Sequence, residues 1–179
     1  MGASRESHLV ELVDDGGGAV GATTVDEAHR APGLLHRAFS VLLLDDDGRL
    51  LLQQRAAVKT RFALRWANAC CGHPAPGETV TSAAARRLVE ELGVSAVPLR
   101  EVGVYVYQAS DPSSGRVEHE YDHVLVGHIT DFSGLTDPDE VAAVEWVSVG
   151  DLESRLSHSP GLFAPWLAGV VSTWRSSTA

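Results

Sequence analysis

A chain of 179 residues, 44% of them hydrophobic, is long enough for one well-buried domain and short for two. The formal net charge of −10 argues against nucleic acid or an anionic membrane as partner, because either polyanion is repelled, and points to a small molecule instead. No apolar run approaches the roughly 18 residues of a membrane span, and the opening MGASRESH lacks the apolar core of a secretory signal, so the expected location is cytoplasmic. Residues 1–8 and 175–179 read as disordered tails around a single domain over 9–174.

In chain order, Leu9 to Val13 and Val20 to Thr24 flank a Gly16-Gly17-Gly18 turn and predict a hairpin. Phe39 to Leu44 and Arg49 to Gln54 are two strands joined through Asp45-Asp46-Asp47-Gly48. Residues 56–65 read as a loop, followed by a short strand over Trp66 to Cys71. Ala84, Ala85, Leu88, Val89 and Leu92 have helical spacing, predicting a helix over Thr81 to Leu92 that stops at Gly93. Val97 to Ala109 and Val117 to Ile129 are β runs around a turn, Val141 to Val149 a further strand, and Asp151 to Leu156 a short helix. From Leu162 to Trp174 the apolar spacing predicts a final helix with one buried face. The fold class expected is α+β, a sandwich in which helices cover a mixed sheet.

The only two cysteines, Cys70 and Cys71, are adjacent, and a bridge between neighbours closes no useful loop. Cys70 reads as a small buried apolar residue. His29 and His36 bracket Ala31-Pro32-Gly33, so a turn can bring both imidazoles together; His73 follows Cys71, and Glu118 and Glu120 share one face of a strand. Three imidazoles and two carboxylates suit Zn²⁺, Mn²⁺ or a comparable divalent ion. Each of these side chains taken alone reads more readily as a hydrogen-bonded or solvated residue.

From Gly72 the spacing is Gly, five residues, Glu78, seven residues, Arg86, then Leu88-Val89-Glu90-Glu91-Leu92-Gly93-Val94. This is the Nudix box with one departure, Arg87 where a Glu is usual. Together with HRAPGLLHRAFSV, NACCGHP and VEHEYDH, it resembles type I isopentenyl-diphosphate isomerase over residues 9 to 174. The resemblance implies a Nudix-type α/β/α sandwich and an enzyme of isoprenoid biosynthesis that interconverts isopentenyl and dimethylallyl diphosphate through a tertiary carbocation.

By the same resemblance, His29, His36, His73, Glu118 and Glu120 hold one divalent metal (Mn²⁺, Zn²⁺ or Mg²⁺), and Glu91 holds a Mg²⁺ that also binds the substrate diphosphate. Arg55, Lys59 and Arg87 match diphosphate-contacting cations. Cys71 and Glu120 match the proton-transfer pair, Tyr107 a hydrogen-bond partner of Glu120, and Trp166 an aromatic face for the cation. An unperturbed thiol near 8.5 lets Cys71 hold or release a proton close to neutrality.

Val25 stands where the family has a Lys, and Ala63-Leu64 where it has Pro-Gly. These departures leave a second reading, alkene protonation on a longer prenyl diphosphate, including proton-initiated cyclisation. A non-catalytic metal-containing binding module is a further alternative, which Cys71 and Glu120 count against. An ordinary Nudix hydrolase is disfavoured by Arg87.

Overall fold

Strand β3 (His36–Leu44) organises the molecule, because HRAFSVLLL is apolar on both faces and no residue from Ala38 to Leu43 exceeds 1% exposure. The computed structural model describes residues 5–178. On one side β3 pairs in parallel with β8 (Val117–His128), from His36↔Glu120 to Leu44↔His128. On the other it pairs antiparallel with β6 (Cys70–Gly72), so that Ser40 lies opposite Cys71. β7 (Arg100–Ser110) extends the sheet beyond β8. The hairpin of β1 (Leu9–Val13) and β2 (Ala19–Thr24) joins at Leu12↔His36. β4 (Leu50–Arg55) carries both β5 (Trp66–Ala67) and β9 (Val141–Val147).

Alternation along β3 divides the core in two. Phe39, Val41 and Leu43 pack with Ala84, Leu88 and Leu92 of α2 (Val80–Leu92). Leu42, with Val124 of β8, packs with Leu152 of α3 (Val149–His158) and with Leu167, Val170 and Val171 of α4 (Leu167–Ser176). Each such leucine contributes roughly 1.5–3 kcal/mol by leaving water, which binds the helices to opposite faces. The result is an α/β/α sandwich around a mixed nine-stranded sheet.

Several boundaries differ from the sequence reading. Thr79 caps α2 by accepting from the Ser82 amide, and Gly93, at φ 63°, closes it in the left-handed conformation. Ser148 caps α3 by accepting the Asp151 amide, so α3 begins two residues earlier than expected and β9 ends at Val147. The expected strand over 66–71 is two short pieces, β5 and β6. The last helix starts only at Leu167, because Pro165 lacks an amide hydrogen and disfavours helical geometry at Ala164. A short helix, α1 (Val25–Ala28), had no periodicity to reveal it. Of the expected tails, residues 1–4 and 179 lie outside the described residues. Arg5–Ser7 form a 3-10 turn, and α4 runs on through Ser176.

Candidate active site

The cluster of imidazoles and carboxylates is assembled by a turn and three strands. Thr24 caps α1 by accepting from the Glu27 amide, and His29 ends that helix. The chain then reverses through Gly33 at φ +86°, where a Cβ would lie 2.7 Å from Val117 Cγ1, so only glycine fits. This brings His29 beside His36 at the start of β3, with ring centroids 4.7 Å apart; His73 follows β6 and lies 5.2 and 4.8 Å from them. Glu118 and Glu120 face the same way from β8, and the ligand atoms of all five side chains lie within 4.8 Å of one another.

Each of these histidines is turned toward the cluster. His29 Nδ1 and His36 Nδ1 donate to the carbonyls of Val25 and Leu34, both at 2.7 Å, which leaves Nε2 facing inward. His29 Nε2 meets Glu118 at 2.8 Å and His73 Nε2 meets Glu120 at 2.9 Å. His36 Nε2 is buried with no hydrogen-bond partner among the described residues, 3.7 Å from Glu120. Burial, outweighing the nearby Glu120, pushes His73 down to about 4, so its imidazole is neutral. Burial raises the Glu120 carboxyl, but His36 and His73 outweigh it and hold the group well below the usual carboxylate range. A neutral imidazole, an orphaned buried nitrogen and ionised carboxylates are the donor set a divalent cation needs.

Cys71 and Glu120, the expected proton-transfer pair, come from the two strands that flank β3. Glu120 accepts a 2.7 Å hydrogen bond from the Tyr107 hydroxyl. Cys71 donates its S–H to Asn68 Oδ1 at 3.2 Å, and Ser40 Oγ lies 3.7 Å from the sulfur. Trp166 donates to the same Asn68 oxygen at 3.1 Å, so one buried amide holds thiol and indole together. Burial, with the charge of Asp122 next, pushes the Cys71 thiol up to about 12. The expectation that Cys71 titrates near neutrality is therefore corrected: sulfur keeps its proton. His119 points away from its neighbours and bonds the Gly33 carbonyl.

Cys71, His73, Tyr107, Glu118, Glu120 and Trp166 line one cavity of about 1050 Å³, together with Arg55, Lys59 and Arg87. Arg55 donates to the carbonyls of Arg61 and Phe62 and lies 5.4 Å from the Trp166 ring centre. Lys59 and Arg5 both pair with Glu140. Arg87, buried at 6% exposure, pairs with Glu90 at 2.7 Å, with Glu140 at 3.3 Å and closely with Glu91. Glu91 itself is off the cavity wall, held between Arg87 and the Gln53 amide.

Comparison with known proteins shows the family. Residues 34–167 match the NUDIX domain. The chain is 62% identical over 162 residues to the isopentenyl-diphosphate Delta-isomerase of Nocardia farcinica, covering 90% of this chain and 91% of that one. It is 47% identical over 172 residues to the protein of the same name from Streptomyces coelicolor, covering 96% and 86%. The chain belongs to the type I isopentenyl-diphosphate isomerases of the Nudix superfamily. A Deinococcus radiodurans structure, DR0079, superposes with a TM-score of 0.75 at 20% identity, covering 94% of this chain and all of that one, and supports the fold.

Within this isomerase family the two departures separate. Val25 lines the cavity, whereas Ala63 and Leu64 do not, and Leu64 is 52% exposed. Sequence reasoning missed Asn68, Asp122, Glu140 and the pair Glu6 and Arg61. Asn68 and Asp122 sit inside the motifs NACCGHP and VEHEYDH, but their function depends on neighbours distant in sequence. Arg61 lies in a loop without periodicity, and no local signal marked it.

Proposed function

We propose that this chain interconverts isopentenyl and dimethylallyl diphosphate by protonating one carbon and deprotonating another, with Cys71 and Glu120 as the pair. The observation that carries the reading is geometric: Cys71 and Glu120 line one cavity from the two strands beside β3, the thiol bonded to Asn68 and the carboxylate to Tyr107. Burial pushes the thiol up while His36 and His73 hold the carboxyl low, which assigns Cys71 as the acid and Glu120 as the base. The Cys71 S–H gives its proton to the terminal alkene carbon as the π pair forms the new C–H bond. A tertiary carbocation results. Glu120 then takes a proton from the carbon between the cation and the oxygen-bearing methylene, and that C–H pair becomes the new double bond. The pair is left as thiolate and carboxylic acid, and proton exchange with solvent or the reverse reaction resets it.

Tyr107 fixes the Glu120 oxygens through its hydrogen bond, while the Trp166 ring offers a π surface to the cation without supplying a nucleophile. His29, His36, His73, Glu118 and Glu120 are the proposed holders of one divalent ion (Mn²⁺, Zn²⁺ or Mg²⁺), whose positive charge would keep Glu120 ionised and fixed. Arg55, Lys59 and Arg87 are proposed to bind the diphosphate. Arg87, in turning from Glu91 to that anion, would leave Glu91 as a ligand for Mg²⁺, which supplies charge neutralisation there. The two free thiols fit a cytoplasmic setting, where cysteines stay reduced.

The test is incubation with isopentenyl diphosphate and Mg²⁺ in deuterated water. Dimethylallyl diphosphate carrying deuterium is expected, and Cys71→Ala and Glu120→Gln should each lower conversion by roughly 10²–10⁴-fold or more. Full activity of Cys71→Ala would remove the thiol from the reaction.

A further inference from the structure

On the cavity wall the chain places a carboxylate of its own on a guanidinium. Arg61 is only 9% exposed, and two different anions hold it. Its Nε donates to Glu118 of the cluster at 3.1 Å. Its Nη1 lies 3.0 and 3.1 Å from the two oxygens of Glu6, and Thr60 Oγ1 donates to Glu6 Oε1 at 2.9 Å. Arg61 and Thr60 thus form a seat with a charged and a neutral donor for one anionic group. Glu118 is built into a strand, but Glu6 sits on the 3-10 turn Arg5–Ser7, which is joined to the wall by side-chain ion pairs, Arg5 to Glu140 at 2.5 Å and to Glu90 at 3.2 Å. All of Arg5, Glu6, Thr60 and Arg61 line the cavity that also holds Lys59 and Arg87.

We infer that Arg61 and Thr60 form a further seat for a phosphoryl group of the substrate diphosphate, and that Glu6 occupies this seat until the substrate displaces it. The seat rests on the isomerase reading of the cavity. The position is supported by the loop around it: the Phe62 amide donates to Asp111 Oδ2 at 2.9 Å, and the Arg61 carbonyl accepts from Arg55, so the segment cannot drift. A guanidinium reads a phosphoryl group through paired donors better than a carboxylate on a surface turn can compete for it. Substrate entry therefore exchanges one anion for another at Arg61 and releases the turn from that part of the wall. Val25 and Arg61 both line the cavity, Val25 without a charge and Arg61 with one.

The test is calorimetric binding of inorganic diphosphate with Mg²⁺ to the full chain, its Glu6→Gln and Arg61→Gln variants, and the double variant. Glu6→Gln should tighten binding roughly three- to tenfold, and Arg61→Gln should weaken it roughly tenfold. In the Arg61→Gln background the Glu6 change should have no effect. Unchanged or weaker binding to Glu6→Gln overturns the inference, as does equal tightening with Arg61 absent, which would mean only a general loss of negative charge. Glu6 is outside the proton-transfer machinery, and its substitution leaves the core untouched, so this arm stands even if Arg61→Gln fails to fold. Conversion of isopentenyl diphosphate by the unaltered chain separates the two failures: if it converts substrate while Glu6→Gln binds diphosphate no tighter, the seat alone is wrong; if it neither converts nor binds, the isomerase reading falls and the seat with it.

Discussion

Burial raises both members of the proposed proton-transfer pair, but only Glu120 has neighbours that outweigh it, and modification and single substitutions should expose the difference. Cys71 has an amide oxygen and a hydroxyl near its sulfur and, among the described residues, no cation in hydrogen-bond contact, so desolvation and the charge of Asp122 hold the proton on. Alkylation by iodoacetamide should therefore be slower at pH 8 than for a free thiol by roughly 10³-fold, still rising beyond pH 10. Cys70, at 0% exposure, contributes nothing to that signal. A plateau near pH 8.5 would contradict the assignment of Cys71 as resting acid. Glu120, by contrast, is surrounded by donors, and Tyr107 is the one that belongs to neither the cluster nor the substrate. Tyr107→Phe removes a hydrogen bond to a charged group, a loss of about 1.5–3 kcal/mol, and should lower kcat by roughly 10–100-fold with little change in KM. Steady-state kinetics with isopentenyl diphosphate measure the split; a change confined to KM would place Tyr107 in binding instead.

At the scale of elements, the β7–β8 hairpin turn does more than reverse the chain. Asp111 accepts from the amides of Phe62 and Ser113 and from the hydroxyls of Ser113 and Ser114, so it ties the turn to the loop that carries Arg61. Burial raises its carboxyl, but these donors outweigh it and hold the group at about 2, against 3.8 unperturbed. A folded value below the unfolded one stabilises the fold fully above pH 3.8, and the contribution disappears as pH falls through 2. Asp111→Asn should cost about 2 kcal/mol in urea unfolding at neutral pH, with the gap to the unaltered chain closing between pH 4 and 2. The turn chemistry of this hairpin was legible, as were the helix that Thr79 and Gly93 bound and the strands on either side of Asp45-Asp46-Asp47-Gly48. Each is set by neighbours in sequence. Illegible were the link from Asp111 to Phe62, the placement of Trp166 outside its helix, and the pairing of Arg87 with Glu91 that takes Glu91 off the cavity wall. Those arise from contacts between elements, or from a proline overriding apolar periodicity. The metal-type cluster was readable through motif resemblance, while the ionisation of its members required the burial that only the folded chain supplies.

Over the whole molecule, charge is distributed so that an acidic protein can receive an anion. The chain has 24 acidic and 14 basic residues, yet the cavity wall is balanced. Arg5, Arg55, Lys59, Arg61, Arg86 and Arg87 line it, against Glu6, Glu78, Glu118, Glu120, Asp139 and Glu140. A balanced wall inside a negative protein gives a diphosphate little net attraction, so bound divalent ions must tip it. The same ion would join distant parts of the fold, since its proposed ligands come from the end of α1, the start of β3, the segment after β6 and the middle of β8. Binding only to the folded chain, it should stabilise by about 2.7 kcal/mol at a hundredfold excess over its Kd. Thermal unfolding should therefore occur at lower temperature after chelation and recover on adding Mn²⁺ or Zn²⁺. His36→Ala removes a proposed ligand and should abolish the metal-dependent shift; because it also loses the Nδ1 hydrogen bond to the Leu34 carbonyl and opens a gap in the core, the shift is read against the chelated variant itself, which should unfold at a lower temperature than the chelated parent. An equal shift in His36→Ala would mean that the ion binds elsewhere, and the five side chains would then be a hydrogen-bonded cluster and nothing more.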